Sequence, residues 1–116
     1  MWLPYEIIPH FLLAITGVTI SKFPDRNYFK ENEQAVLQCV GTQAGSDTLS
    51  YQWKRKGVFH SNNNPLTIQT GRSENGVVYE CTVTGSPSAE TRTEQVTITI
   101  ACELYIFASS TYHLIC

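Results

Sequence analysis

A chain of 116 residues has room for one hydrophobic core of ordinary size and not for two. With 42% hydrophobic residues, 16% charged residues and a mean hydropathy of -0.14, the composition excludes a disordered chain and an integral membrane bundle. Eight Lys and Arg against ten Asp and Glu leave a net charge of -2, and the longest basic run is the triplet Lys54-Arg55-Lys56, which reads most simply as a solvated turn, so the sequence lacks the concentrated basic face that nucleic acid requires. Four cysteines in so short a chain suggest an oxidising compartment, although they allow three connectivities.

Residues 1–17 read as a signal peptide or hydrophobic leader. The apolar run from Ile7 to Ile15 has the length of a secretory h-region and is too short for a membrane span. It departs from that pattern in having no early Lys or Arg, in carrying Glu6, and in the interruption by Pro9 and His10, so an uncleaved leader or a mispredicted first exon is the alternative.

From Val18 to Ala101 the chain shows short runs rich in Val, Ile, Thr and Tyr, separated by Gly, Asn, Ser and Pro, which is an all-β pattern. Val18-Thr19-Ile20 opens it and Pro24-Asp25 ends that strand. The period of two puts Ala35, Leu37 and Cys39 on one face, then Leu49, Tyr51 and Trp53, then Val77, Tyr79, Cys81 and Val83, and last Val96, Ile98 and Ile100 in a strand over 94–100. Val58-Phe59-His60 and Leu66-Thr67-Ile68 supply two more strands, with turns at 55–57 and at Asn62-Asn63-Asn64-Pro65. About seven strands at sandwich spacing result. Residues 102–116 form an apolar tail that carries Glu103, His113 and Ser109-Ser110-Thr111 and is too short and polar for a transmembrane span.

Cys39, Trp53 fourteen positions later, Tyr79-Glu80-Cys81, and Ile68 thirteen positions before the second cysteine together resemble the immunoglobulin superfamily. The resemblance implies an all-β, two-sheet sandwich with a Cys39–Cys81 disulfide, a core of Trp53, Tyr79, Leu37, Leu66 and Ile68, and a Tyr79 hydroxyl that returns to a backbone carbonyl within 72–75. Such a bridge closes a loop of about 43 residues and stabilises the fold by about 4 kcal/mol in the chain-entropy model. Asn75 and Val77 stand where relatives commonly have Asp and Gly, with Gly76 displaced by one, so the Asp-to-Arg bridge of many relatives is expected to be absent. Only twelve residues separate Trp53 from Leu66, which implies a C2-like or I-like set.

No nucleophile elbow, phosphate loop or paired-carboxylate motif is present, and Cys102, His113 and Cys116 fit no zinc spacing, so neither catalysis nor a cofactor or metal is expected. The resemblance implies instead an extracellular protein-binding module (cell adhesion, receptor ectodomain or secreted immune-type recognition) that meets a protein ligand or a homophilic partner of its own kind. The alternatives are an intracellular structural module of a muscle-type filament protein and a truncated isoform of a larger receptor. Candidate contact residues are Lys54, Arg55, Lys56 and Phe59 around one turn and Ser86 and Pro87 in another, with the loop from Gly41 to Thr48 as a third surface. Cys102 or Cys116 could link a disulfide dimer. No Asn-x-Ser/Thr glycosylation acceptor occurs.

Overall fold

The computed structural model describes residues 14–101 and, for the backbone alone, 103–107 and 111–115. Most of the leader, and both Cys102 and Cys116, lie outside the described residues.

Seven strands build the sandwich: β1 (Ile15–Phe23), β2 (Glu33–Gln43), β3 (Thr48–Arg55), β4 (Val58–Ser61), β5 (Leu66–Thr70), β6 (Val78–Ser86) and β7 (Thr91–Thr97). They form two antiparallel sheets, β1-β2-β5 and β4-β3-β6-β7, which make an immunoglobulin-like sandwich. In the tail, β8 (Glu103–Phe107) and β9 (Thr111–Ile115) pair antiparallel with each other. Among the described residues no helix is long and apolar enough to cross a membrane.

Alternation produces the core. Ala35, Leu37 and Cys39 from one sheet meet Trp53, Tyr79, Cys81 and Val83 from the other, all buried, with Leu66 and Ile68 beside them. Cys39 and Cys81 are joined across the two sheets, with 6.5 Å between their Cα atoms. Trp53 lies directly opposite Cys81 in the β3–β6 register, and neither is exposed.

The boundaries differ from the sequence reading at both ends. β1 starts at Ile15, not at Val18, and Ile15 is fully buried, its backbone N–H donating to Glu90 Oε1 at 2.7 Å. β7 covers 91–97 and not 94–100, because beyond Thr97 the chain leaves its partner β6 and is held by the segment before it. Gly76 N–H donates to the Ile98 carbonyl at 2.7 Å, Ile98 N–H to the Val77 carbonyl at 2.9 Å, and Ile100 N–H to Asn75 Oδ1 at 2.9 Å. Gly76 takes φ +80°, open to glycine at little cost, which lets the chain turn tightly enough to make these bonds. Ile98 and Ile100 still point inward, and Phe29, from a stretch that reads as loop, bridges Ile100 in parallel and is itself buried.

Two polar side chains extend the β2–β5 ladder where its backbone stops. The register that pairs Leu37 with Leu66 would pair Cys39 with Asn64, but the chain turns away there. The Asn64 side chain takes over: its Nδ2 donates to the Cys39 carbonyl at 2.7 Å and its Oδ1 accepts from the Cys39 N–H at 2.9 Å. At the other end the buried Thr70 Oγ1 accepts from Glu33 N–H at 3.0 Å and lies 2.6 Å from the carbonyls of Lys30 and Glu33, which tethers the tight turn where Asn32 has φ +64°. An amide presents a donor and an acceptor in the same order as a peptide group, so Asn64 substitutes for a strand residue.

Replacing Asn64 by Leu strips partners from both backbone groups of a bridged cysteine, and the expected loss is about 2–4 kcal/mol in urea unfolding at unchanged m-value. A loss below about 0.5 kcal/mol would show that the ladder extension does not matter.

Candidate binding surface

The β3–β4 connection is a two-residue hairpin in which Lys56 (φ +54°) and Gly57 (φ +79°) both occupy the left-handed region, as a tight turn of this hand requires. The turn sends the basic triplet in three directions. Lys54 faces outward on the four-stranded sheet, opposite Glu80 on one side and Phe59 on the other. Arg55 turns toward the interior, and Lys56 is exposed at the tip. The reading of the triplet as a solvated turn therefore fails for Arg55.

Arg55 is drawn in by Glu74, from the short 3-10 turn Arg72–Glu74. Its Nη2 donates to Oε2 at 2.5 Å and its Nε to Oε1 at 3.3 Å, a two-point ion pair with the carboxylate mostly buried. The Tyr79 hydroxyl donates to the same Oε1 at 2.5 Å, and the His60 ring meets the Tyr79 ring edge-on, with centroids 5.7 Å apart. Two sequence expectations are corrected here. Tyr79 bonds a carboxylate and not a backbone carbonyl, and an acidic-to-Arg bridge exists after all, supplied by Glu74 one residue before Asn75. The longer Glu side chain reaches from the preceding position, which a comparison confined to position 75 misses.

Burial alone would raise the Glu74 carboxyl, but the hydrogen bonds from Arg55 and Tyr79 outweigh it and hold the group below its ordinary value of 4.5. The Tyr79 phenol is pushed up to about 12, first by burial and then by the carboxylate it donates to. This corner clamps the base of the β3–β4 hairpin and positions what the hairpin exposes.

Val58 and Phe59 are what it exposes: they are 67% and 55% accessible, on the edge strand of the four-stranded sheet, with Lys54 and Lys56 alongside. Beyond the outward Lys54 and Glu80, the same sheet carries a shallow hollow of 640 Å³ lined by uncharged residues, Ser50, Tyr51, Gln52, Asn62, Thr82 and Thr84. Val58 was not among the residues singled out from the sequence, although it adjoins Phe59 in a strand too short to be covered on both faces.

Ser86 and Pro87 lie elsewhere. The register sets Thr48 against Ser86 and Arg55 against Tyr79, so the two sets of candidates occupy opposite ends of β3, roughly 23 Å apart at strand rise. Near Ser86, the short connection after β2 is folded onto the β6–β7 hairpin: Gln43 Nε2 donates to the Asp47 carbonyl at 2.8 Å, and a Cβ placed on Gly85 would come within 2.6 Å of Asp47 Oδ2. Gly41, Thr42 and Gln43 of the third candidate surface belong to β2 itself. Among the described residues no group of three His, Cys, Asp or Glu side chains is placed to hold a metal ion.

No family model matches the chain, and no curated protein matches it.

Because the folded-state value of Glu74 is depressed, its contribution to stability is complete above about 4.5 and is lost as pH falls through the lowered value. Glu74→Gln is expected to cost about 1–3 kcal/mol at pH 7 and to lose less stability than the parent between about pH 5 and 2, so that the two curves converge in acid. Parallel curves over that range in chemical denaturation would contradict the assignment.

Proposed function

We propose that the chain is an immunoglobulin-superfamily domain that acts, without catalysis, as an extracellular protein-binding module, and that Val58 and Phe59 at the β3–β4 hairpin are its principal contact. The exposure of two adjacent large apolar side chains on an edge strand braced by the Arg55–Glu74–Tyr79 corner carries this reading. Family membership is supported by the Cys39–Cys81 bridge, by Trp53 and Tyr79 at their places in the core, and by a strand set in which β4 joins the β3 sheet and no strand follows β5 in the other, which favours the C2-like arrangement. An aromatic anchor with a rim of cations suits a partner surface that offers an apolar pocket bordered by carboxylates.

An extracellular location is compatible with the intrachain disulfide, and the intracellular filament reading requires Cys39 and Cys81 to be reduced. Mass spectrometry of protein alkylated after denaturation without reductant is expected to find both residues unmodified until reductant is added; alkylation of both without reductant would remove the extracellular reading. For the contact, a multimerised chain screened against a panel of cell-surface ectodomains is expected to identify a partner whose affinity falls at least tenfold on Phe59→Ser. An unchanged affinity in that variant would exclude the hairpin as the binding site.

A further inference from the structure

We propose that Asn75-Gly76 is a self-modification site, at which the side-chain amide is hydrolysed without an enzyme, and that the hydrogen bonds holding residues 98–100 keep it locked in the folded chain. This goes beyond the contact at the β3–β4 hairpin and does not depend on it.

The chemistry needs an asparagine followed by an unhindered peptide nitrogen. Gly76 N, once deprotonated, attacks Asn75 Cγ, the Cγ–Nδ2 bond breaks and ammonia leaves, so that the chain holds a five-membered imide. Water then opens the ring. Cleavage of the new N–Cγ bond leaves an aspartate at position 75, and cleavage of the original peptide bond leaves an isoaspartyl linkage whose main chain runs through Cβ and Cγ. Water is consumed, ammonia is released and either product gains a negative charge; nothing is oxidised or reduced.

Of the six asparagines in the chain only Asn75 precedes a glycine. Asn27, Asn32, Asn62 and Asn63 precede residues whose side chains crowd the nitrogen, and Asn64 precedes Pro65, whose nitrogen has no proton to lose. Asn75 and Gly76 are both exposed, so water reaches them.

Three features of the folded chain oppose ring closure. Gly76 N–H donates to the Ile98 carbonyl at 2.7 Å, which occupies the nucleophile. Asn75 Oδ1 accepts from Ile100 N–H at 2.9 Å, which fixes the side chain. The ψ of Asn75 is 125°, which carries Gly76 N away from Cβ, and bringing the two into line takes a rotation of roughly a third of a turn. That rotation breaks both bonds, so the stretch around Ile98 and Ile100 must first lift from the turn. The clamp lies past the last β6–β7 pair, Val78 with Thr97, so it opens with the Cys39–Cys81 core in place.

The two products treat the clamp differently. An aspartate keeps the backbone and the Oδ1 acceptor, and the bond from Ile100 N–H can re-form. The isoaspartyl linkage puts an extra carbon into the main chain ahead of Gly76 N, and the spacing that lets both bonds form is lost. Each opening that ends in isoaspartate therefore loosens this end of the sandwich irreversibly.

Peptide mapping by mass spectrometry of the full chain, incubated at mildly alkaline pH across a urea series up to complete unfolding, tests the lock. Position 75 is expected to convert ahead of the other five asparagines in the unfolded chain, and at least about tenfold more slowly in the folded one. Below the unfolding transition its rate is expected to rise less steeply with urea than the unfolded fraction does, because local opening exposes less surface than global unfolding. The purified isoaspartyl form is expected to lose hydrogen-exchange protection at Gly76 and Ile100, while Asn75→Asp retains it. Equal rates in the folded and unfolded chain, a position 75 no faster than the other asparagines once unfolded, a rate that follows the unfolded fraction at every urea concentration, or an isoaspartyl form with both amides still protected would each overturn the proposal.

Discussion

The Cys39–Cys81 bridge ties one strand of each sheet together at the centre of the core, and most of the ordering follows from that constraint. Cys39 belongs to β2, the middle strand of the three-stranded sheet, and Cys81 to β6, an inner strand of the four-stranded one. Joining the inner strands fixes the spacing of the sheets and the register of the residues that fill the gap. Trp53 is placed opposite Cys81 by the β3–β6 ladder, and Asn64 is placed on Cys39 by its side chain, so each cysteine is flanked by a group that defines its strand's neighbour. Among the described residues the Trp53 indole N–H has no hydrogen-bond partner, and its ring is fully buried.

A second constraint sits two residues from Cys81. Glu74 gathers Arg55 from β3 and Tyr79 from β6, so one carboxylate ties two strands to the turn before β6, and His60 of β4 packs edge-on against the Tyr79 ring. Mostly buried and doubly hydrogen-bonded, the pair has the directional partners that let an ion pair hold a conformation despite its desolvation. Its consequence for the hairpin is mechanical. A four-residue edge strand would otherwise fray, and this corner keeps Val58 and Phe59 presented at a defined angle.

How much of this was legible in the sequence depended on the range of the interaction. Period-two alternation reveals which side of a strand is apolar, so Leu37, Tyr79, Val83 and Ile98 could be placed inward from the chain alone. Joint spacing of Cys39, Trp53 and Cys81 carried the sandwich. Side-chain partners that depend on reach were not legible. Arg55 stood in a basic triplet that looks solvated, and although the period of two that turns Trp53 inward turns Arg55 the same way, its partner Glu74 comes from a distant turn that alternation does not reveal. Glu74 lies one position from the place where an acidic residue was sought, Asn64 looks like an ordinary turn residue, and Phe29 sits outside any alternating run. Of the proposed contact residues, Phe59 stood out in the sequence as an aromatic beside cations, but the distance between that hairpin and Ser86–Pro87 follows from the β3–β6 register, which needs the pairing to be known.

The most direct measurement of the central claim is the unfolding free energy of the chain with both bridging cysteines replaced, Cys39→Ala with Cys81→Ala, against the oxidised parent. If the bridge is the constraint on which the two sheets depend, the variant loses about 3–5 kcal/mol, close to the whole stability of a domain this small. A loss below about 1 kcal/mol, with the same cooperativity, would show that packing around Trp53 sustains the sandwich without it.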